Sequence, residues 1–194
     1  MATGSTNSEN DWCAMKLIEK CVFKMTCVVK ILVCFSLIFV FSGVGYADNA
    51  EDTFDLGYEA FVKRDYAGAE KHWMRVGALG HARAQNGLGI MYRDGDLGEA
   101  RSEEAADWFL RSANNGYAYA MFNLGMLYKT GRFGEVDDIQ AYRWLLLAST
   151  VNFDENAKFQ ANLLSQRMDR TSLIEARNQA QIWLNEFFFG ILKD

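Results

Sequence analysis

Two stretches decide the fold. The first runs Ala84-Gln85-Asn86-Gly87-Leu88-Gly89-Ile90-Met91-Tyr92-Arg93-Asp94-Gly95. The second runs Ala120-Met121-Phe122-Asn123-Leu124-Gly125-Met126-Leu127-Tyr128-Lys129-Thr130-Gly131. They lie 36 residues apart, and Ala, Leu-Gly, Tyr and the closing Gly coincide. The same offset brings Gly80 onto Gly116, Ala82 onto Ala118, Gly98-Glu99 onto Gly134-Glu135, Ala105 onto Ala141 and Trp108 onto Trp144. A fixed period of this length marks a repeat architecture, in which each unit buries its apolar face against the next.

Each unit reads as two helices. Ala84, Leu88, Met91 and Tyr92 recur at helical spacing, and Gly95 supplies a left-handed stop. Ser102 is the expected cap of the second helix, whose buried face carries Ala105, Trp108, Phe109 and Ala113. Gly116 ends it, and the pattern starts again at Ala118. Ala84, Gly89, Ala120 and Gly125 fall where paired helices approach closely.

Working outward, residues 53–80 form a half-repeat, with Leu56-Gly57, Ala60, Asp65-Tyr66, Ala69 and Trp73. Residues 81–116 and 117–153 are the full repeats, and 154–194 are capping helices. The expected fold is all-α, a solenoid of antiparallel helix pairs with about eight helices in three and a half to four repeats.

Residues 1–47 read as an N-terminal extension and signal peptide. Lys24 and Lys30 precede an apolar run, Ile31 to Phe41, which leads into Ser42-Gly43-Val44-Gly45-Tyr46-Ala47. That is the order of a secretory signal, with cleavage expected between Ala47 and Asp48. The run is short of the ~20 apolar residues a helix needs to span a bilayer. Met1, Met15 and Met25 all remain open as starts, Met25 giving the most compact signal.

All four cysteines, at 13, 21, 27 and 34, precede the expected cleavage site, so residues 48–194 can fold in an oxidising compartment without a disulfide. Residues 1–47 hold four of the 20 basic and three of the 25 acidic side chains. The remainder keeps 16 and 22, a net charge of −6. Acidic balance without a basic block argues against a nucleic-acid partner.

No constellation points to catalysis, a metal or a cofactor. His72 and His81 are nine residues apart, no zinc spacing. Asp94-Gly95-Asp96 fails as a calcium loop, because Glu99 stands where the turn glycine belongs and Ala105 where the last carboxylate belongs. Gly87-Leu88-Gly89 lies inside a helix rather than after a strand. The serines lack a nucleophile elbow, and Glu103-Glu104 suits a helix start. Trp73, Trp108 and Trp144 fit core stripes better than a stacking site.

The unit Ala-x-x-x-Leu-Gly-x-x-Tyr-x-x-Gly, then Ala-x-x-Trp and Gly, resembles the Sel-one-like repeat, a relative of the tetratricopeptide repeat. Ala84, Leu88, Gly89, Tyr92, Gly95, Ala105, Trp108 and Gly116 carry the likeness. So do Ala120, Leu124, Gly125, Tyr128, Gly131, Ala141 and Trp144 in the next copy. The second loop glycine is one position late, and the loop aspartate is matched by Asp137 but replaced by Arg101 in the first copy. The resemblance implies a non-enzymatic scaffold for a protein or peptide partner, often exported in bacteria.

In such solenoids the first helix of each unit lines the groove. The resemblance thus places Tyr58, Arg83, Asn86, Ile90, Arg93, Tyr119, Phe122, Met126 and Lys129 in it, the three cations meeting acidic groups of the partner. Phe122 and Met126 also suit packing between repeats. A second candidate surface, for a dimer or a partner, is the C-terminal cluster Trp183, Phe187, Phe188 and Phe189. Two rivals are a membrane-tethered envelope assembly factor, which keeps its N-terminal segment, and an envelope hydrolase acting on peptidoglycan or β-lactams. The hydrolase lacks a nucleophile with its base.

Overall fold

The computed structural model describes residues 50–132, 134–152 and 154–191; the expected targeting segment, residues 1–47, lies outside them. Eight helices and no strand occur among the described residues: α1 (residues 50–62), α2 (Tyr66–Gly77), α3 (Ala82–Asp94), α4 (Ser102–Asn114), α5 (Ala118–Thr130), α6 (Asp138–Asn152), α7 (Glu155–Arg167) and α8 (Arg170–Ile191). From α2 to α7 each helix packs on the next in the chain, and α8 folds back onto α6. The chain is an all-α solenoid. None of the described helices is long and apolar enough to cross a membrane.

The repeated residues are the packing residues. Ala84, Leu88, Met91, Phe109, Ala120, Leu124 and Trp144 are buried in one continuous core that runs from Phe54 to Trp183. Ala141, Tyr142, Leu145, Ala161, Leu164 and Ala176 form a second cluster around α6, α7 and α8. Burying a side chain such as Leu88 or Phe109 contributes ~1.5–3 kcal/mol. The helix-paired glycines serve close approach: a Cβ on Gly89 would stand 2.5 Å from the Phe109 ring, and one on Gly125 would stand 2.8 Å from Leu145.

The two interhelical loops close alike despite their different sequences. Gly95 and Gly131 end α3 and α5 with φ of 75° and 63°, a left-handed conformation that side chains with a Cβ resist. The chain then returns to the same carbonyl, Arg101 N–H donating to Tyr92 at 2.8 Å and Asp137 N–H to Tyr128 at 3.1 Å. The late second glycine does not disturb this closure. Capping differs between the copies. Asp137 accepts from Gln140 N–H at 2.9 Å. Ser102 is not the cap of α4 that the sequence suggested. It lies inside the helix, and the cap position is Arg101, which offers no side-chain acceptor and instead stacks its guanidinium 4.1 Å from the Tyr92 ring centroid.

Polar contacts tie the first full repeat together and to the half-repeat. Gln85 donates to the Gly77 carbonyl at 2.7 Å, Ser112 to the Ala82 carbonyl at 2.7 Å, and Asn115 to Gln85 at 2.9 Å. The positions 36 residues on from Gln85, Ser112 and Asn115 are Met121, Ala148 and Val151, so the second repeat is apolar where the first is polar.

Candidate partner-binding face

The first helices of successive pairs, α1, α3, α5 and α7, are laced side by side through polar contacts. Glu51 on α1 receives His81 Nε2 at 3.0 Å and pairs with Arg83 on α3. His81 Nδ1 accepts the Ala84 N–H at 3.2 Å, which leaves the ring proton on Nε2, facing Glu51. The hydrogen bond from His81, with the charge of Arg83, holds the Glu51 carboxyl below its usual range. Between α3 and α5, Asn123 donates to Asn86 at 3.0 Å and accepts from Arg93 at 3.0 Å. Between α5 and α7, Lys129 donates to Gln160.

A cavity of about 270 Å³ opens where α1, α2 and α3 meet the turn before α5. Phe54, Tyr58 and Phe61 line it from α1, and Trp73 from α2. Arg83, Asn86, Gly87 and Ile90 line it from α3, and Tyr117 closes it. Trp73 is the fixed wall. It is 3% exposed, and its indole N–H donates to the Phe54 carbonyl at 3.1 Å. Phe54 and Phe61 lie against it with ring centroids 6.0 and 5.4 Å away. Glycine permits the approach on both flanks: a Cβ on Gly57 or Gly87 would stand 2.5 or 2.8 Å from the indole. Burial pushes the Tyr117 hydroxyl above its usual range.

The residues expected in the groove divide into groups. Tyr58, Arg83, Asn86 and Ile90 share this cavity. Tyr119 is exposed and tilted against Tyr117, centroids 5.6 Å apart. Phe122 and Met126 are half-buried and pack against the cores, so they fill the space between units. Arg93 is bound to its neighbour Asp94, whose carboxylate holds the guanidinium charged, and to Asn123. The cations are therefore largely committed within the chain: Arg83 to Glu51, Arg93 to Asp94, and Lys129 to a neutral amide. The acid-seeking face that the sequence suggested is mostly neutralised.

The C-terminal cluster also divides. Trp183 is 9% exposed, stacks on Phe187 with centroids 4.8 Å apart and donates to Asn114 at 3.3 Å. Phe187 fills the space left by the missing side chain of Gly116. These two close the core instead of forming a surface. Phe188 and Phe189 remain exposed.

Sequence reasoning missed Phe54, Tyr117 and Gly87 as cavity residues and preferred core packing to a stacking site for Trp73, which is buried in the core and also walls the cavity. An aromatic one helical turn before Tyr58 is a local signal for Phe54, whereas nothing local ties Tyr117 to α1.

A second, more polar hollow of about 480 Å³ lies between the α5–α6 loop and the α7–α8 turn. Its acids have structural roles: Asp137 caps α6, Asp138 pairs with Arg167, and Asp169 accepts the Thr171 and Ser172 N–H groups. Among the described residues, no group of three or more His, Cys, Asp or Glu is placed to hold a metal ion.

The family model of the Sel1 repeat matches residues 82–117 and 118–151. The chain carries two Sel1 repeats. They hold α3–α4 and α5–α6, and the cavity lies on the N-terminal side of the first. A protective antigen present in uropathogenic Escherichia coli strains, displaying an SLR fold, superposes with a TM-score of 0.68 at 23% identity. The match covers 74% of this chain and 31% of that one, and it shows a shared fold. A Sel1 repeat protein from Oxalobacter formigenes superposes with a TM-score of 0.53 at 31% identity, over 56% of this chain and 44% of that one. The chain thus spans less than half the length of either. No curated protein matches it.

Proposed function

We propose that this Sel1-repeat chain is a non-enzymatic adaptor that binds a protein or peptide partner along α1, α3, α5 and α7. The supporting observation is the row of exposed aromatics on those helices: Tyr58, Tyr119 and Phe159 are 55%, 54% and 57% exposed, beside an aromatic-walled cavity. Exposed aromatics with a polar surround are the composition of partner interfaces. The lacing between first helices keeps the face preorganised, which reduces the ordering cost of binding. We further propose that the chain acts in the periplasm or outside the cell, after cleavage between Ala47 and Asp48.

Affinity capture from native envelope extract tests the adaptor. The baits are the parent protein, a Tyr58→Ala/Tyr119→Ala variant and a Phe188→Ala/Phe189→Ala variant. All four side chains are exposed, so each variant should stay folded. A partner lost only with the tyrosine variant supports the reading. A partner lost only with the phenylalanine variant moves the interface to α8. Intact mass of the protein from its native host tests cleavage, since the expected product begins at Asp48.

A further inference from the structure

The cavity beside α1 discriminates by charge. Arg83 stands over the Phe54 ring, its guanidinium carbon 4.2 Å from the centroid, so that face is taken and a second cation entering the cavity meets a like charge. Arg83 is also paired with Glu51, so an incoming carboxylate must compete with one already in place. Either ion would give up hydration in an aromatic cavity without gaining a free counter-charge.

The size sets a second limit. At about 270 Å³ the cavity falls just below the ~300–1,000 Å³ typical of sites for whole drug-sized ligands. One large side chain is the fitting occupant.

The third observation is an amide in the cavity wall. Asn86 lines the cavity and is only 8% exposed. Its Oδ1 accepts from Asn123, which leaves the Nδ2 protons as what it can offer a ligand. A hydrogen bond from this amide to an acceptor on the ligand would contribute ~0.5–1.5 kcal/mol.

We infer that the cavity receives one large, uncharged, apolar side chain of a bound peptide, with Asn86 Nδ2 donating to a peptide carbonyl beside it. This rests on the reading of α1, α3, α5 and α7 as a peptide-binding face. It adds the chemistry of the anchor residue: phenylalanine or leucine is accepted, and glutamate or lysine is refused.

The test is an NMR titration of the isotope-labelled protein with four blocked peptides, acetyl-Gly-Gly-X-Gly-Gly-amide, where X is Phe, Leu, Glu or Lys. The reporters are the Trp73 indole N–H and the Asn86 side-chain amide, with Met126 and Phe159 reporting the rest of the face. The Phe and Leu peptides should shift Trp73 and Asn86 saturably. They should bind at least ~10-fold more tightly than the Glu and Lys peptides, a difference of about 1.4 kcal/mol. Asn86→Leu should weaken the Phe peptide by roughly two- to tenfold through loss of the donor. Ile90→Trp, which fills the cavity, should abolish the Trp73 response. Urea midpoints of both variants establish that they fold.

Equal binding of the charged peptides would overturn the inference, as would an unchanged Phe titration in both folded variants. Shifts at Met126 and Phe159 without a response at Trp73 would overturn the anchor and leave the binding face standing. No response to any peptide would count against both. Stronger displacement of the Trp73 signal by methyl glucoside than by the Phe peptide would make the cavity a sugar site and overturn the peptide anchor.

Discussion

Replacing Gly89 by alanine sets two effects of similar size against each other. In an unconstrained helix the change is favourable, because glycine is ~1 kcal/mol less favourable than alanine. In this chain the new Cβ would stand 2.5, 2.6 and 3.0 Å from three carbons of the Phe109 ring. Phe109 is fully buried and cannot swing into solvent. Ordinary contact begins near 3.5 Å, so α3 and α4 must separate or the ring must leave its rotamer, an overpacking cost of ~1–3 kcal/mol. The net expectation is a loss of up to ~2 kcal/mol. Urea unfolding followed by circular dichroism and by tryptophan fluorescence measures it, with coincident transitions as the check on two-state behaviour. A double-mutant cycle isolates the cause. Phe109→Leu destabilises on its own, but in its background Gly89→Ala should cost at least ~0.5 kcal/mol less, because the clashing ring is gone. If Gly89→Ala is more stable than the parent, or the cycle shows no coupling, close approach is not the reason for glycine at this position.

Further expectations concern single contacts. Arg64 is the one described non-glycine residue with positive φ, at 60°, so Arg64→Gly should raise stability by ~0.5–1 kcal/mol in the same urea assay. Glu51 is held below its usual range by His81 and Arg83, so its contribution is complete above about pH 4.5 and is lost as the pH falls through the lowered value. Glu51→Gln should therefore cost ~0.2–1 kcal/mol near neutrality, and the gap to the parent should close on acidification. Arg143 has a buried Nε without a hydrogen-bond partner, and burial pulls its guanidinium below the usual range. Arg143→Met should be neutral or stabilising by up to ~1 kcal/mol, and a large loss of stability would refute this accounting.

The sequence was most legible where one physical cause repeated. Leu88 and Leu124, Ala105 and Ala141, and Gly95 and Gly131 recur because each must solve the same packing or turn problem 36 residues later. The solenoid and its Sel1 repeats follow from them. Contacts made once were not legible. Glu51 reaches His81 and Arg83 across 30 and 32 residues, and no period announces it. Those contacts take up Arg83, one of the three cations the sequence suggested for an acidic partner. Ser102 failed as a cap because the fold placed Arg101 at the helix boundary, a one-residue shift that spacing cannot fix. Trp183 and Phe187 read as surface because the C-terminal segment matched the repeat weakly. In the fold, Trp183 lies against Trp144, centroids 6.2 Å apart, and Phe187 lies under Gly116. The cavity combines half-repeat aromatics with the first full repeat, so its shape depends on a junction that occurs once.

The most direct measurement is site-specific photocrosslinking in living cells of the native host, with a benzophenone amino acid at position 58, 119, 188 or 189. Binding along the first helices should give an adduct of one common mass from positions 58 and 119 and none from 188 and 189. Adducts confined to positions 188 and 189, or none from any position, would contradict the assignment of α1, α3, α5 and α7 as the partner-binding face.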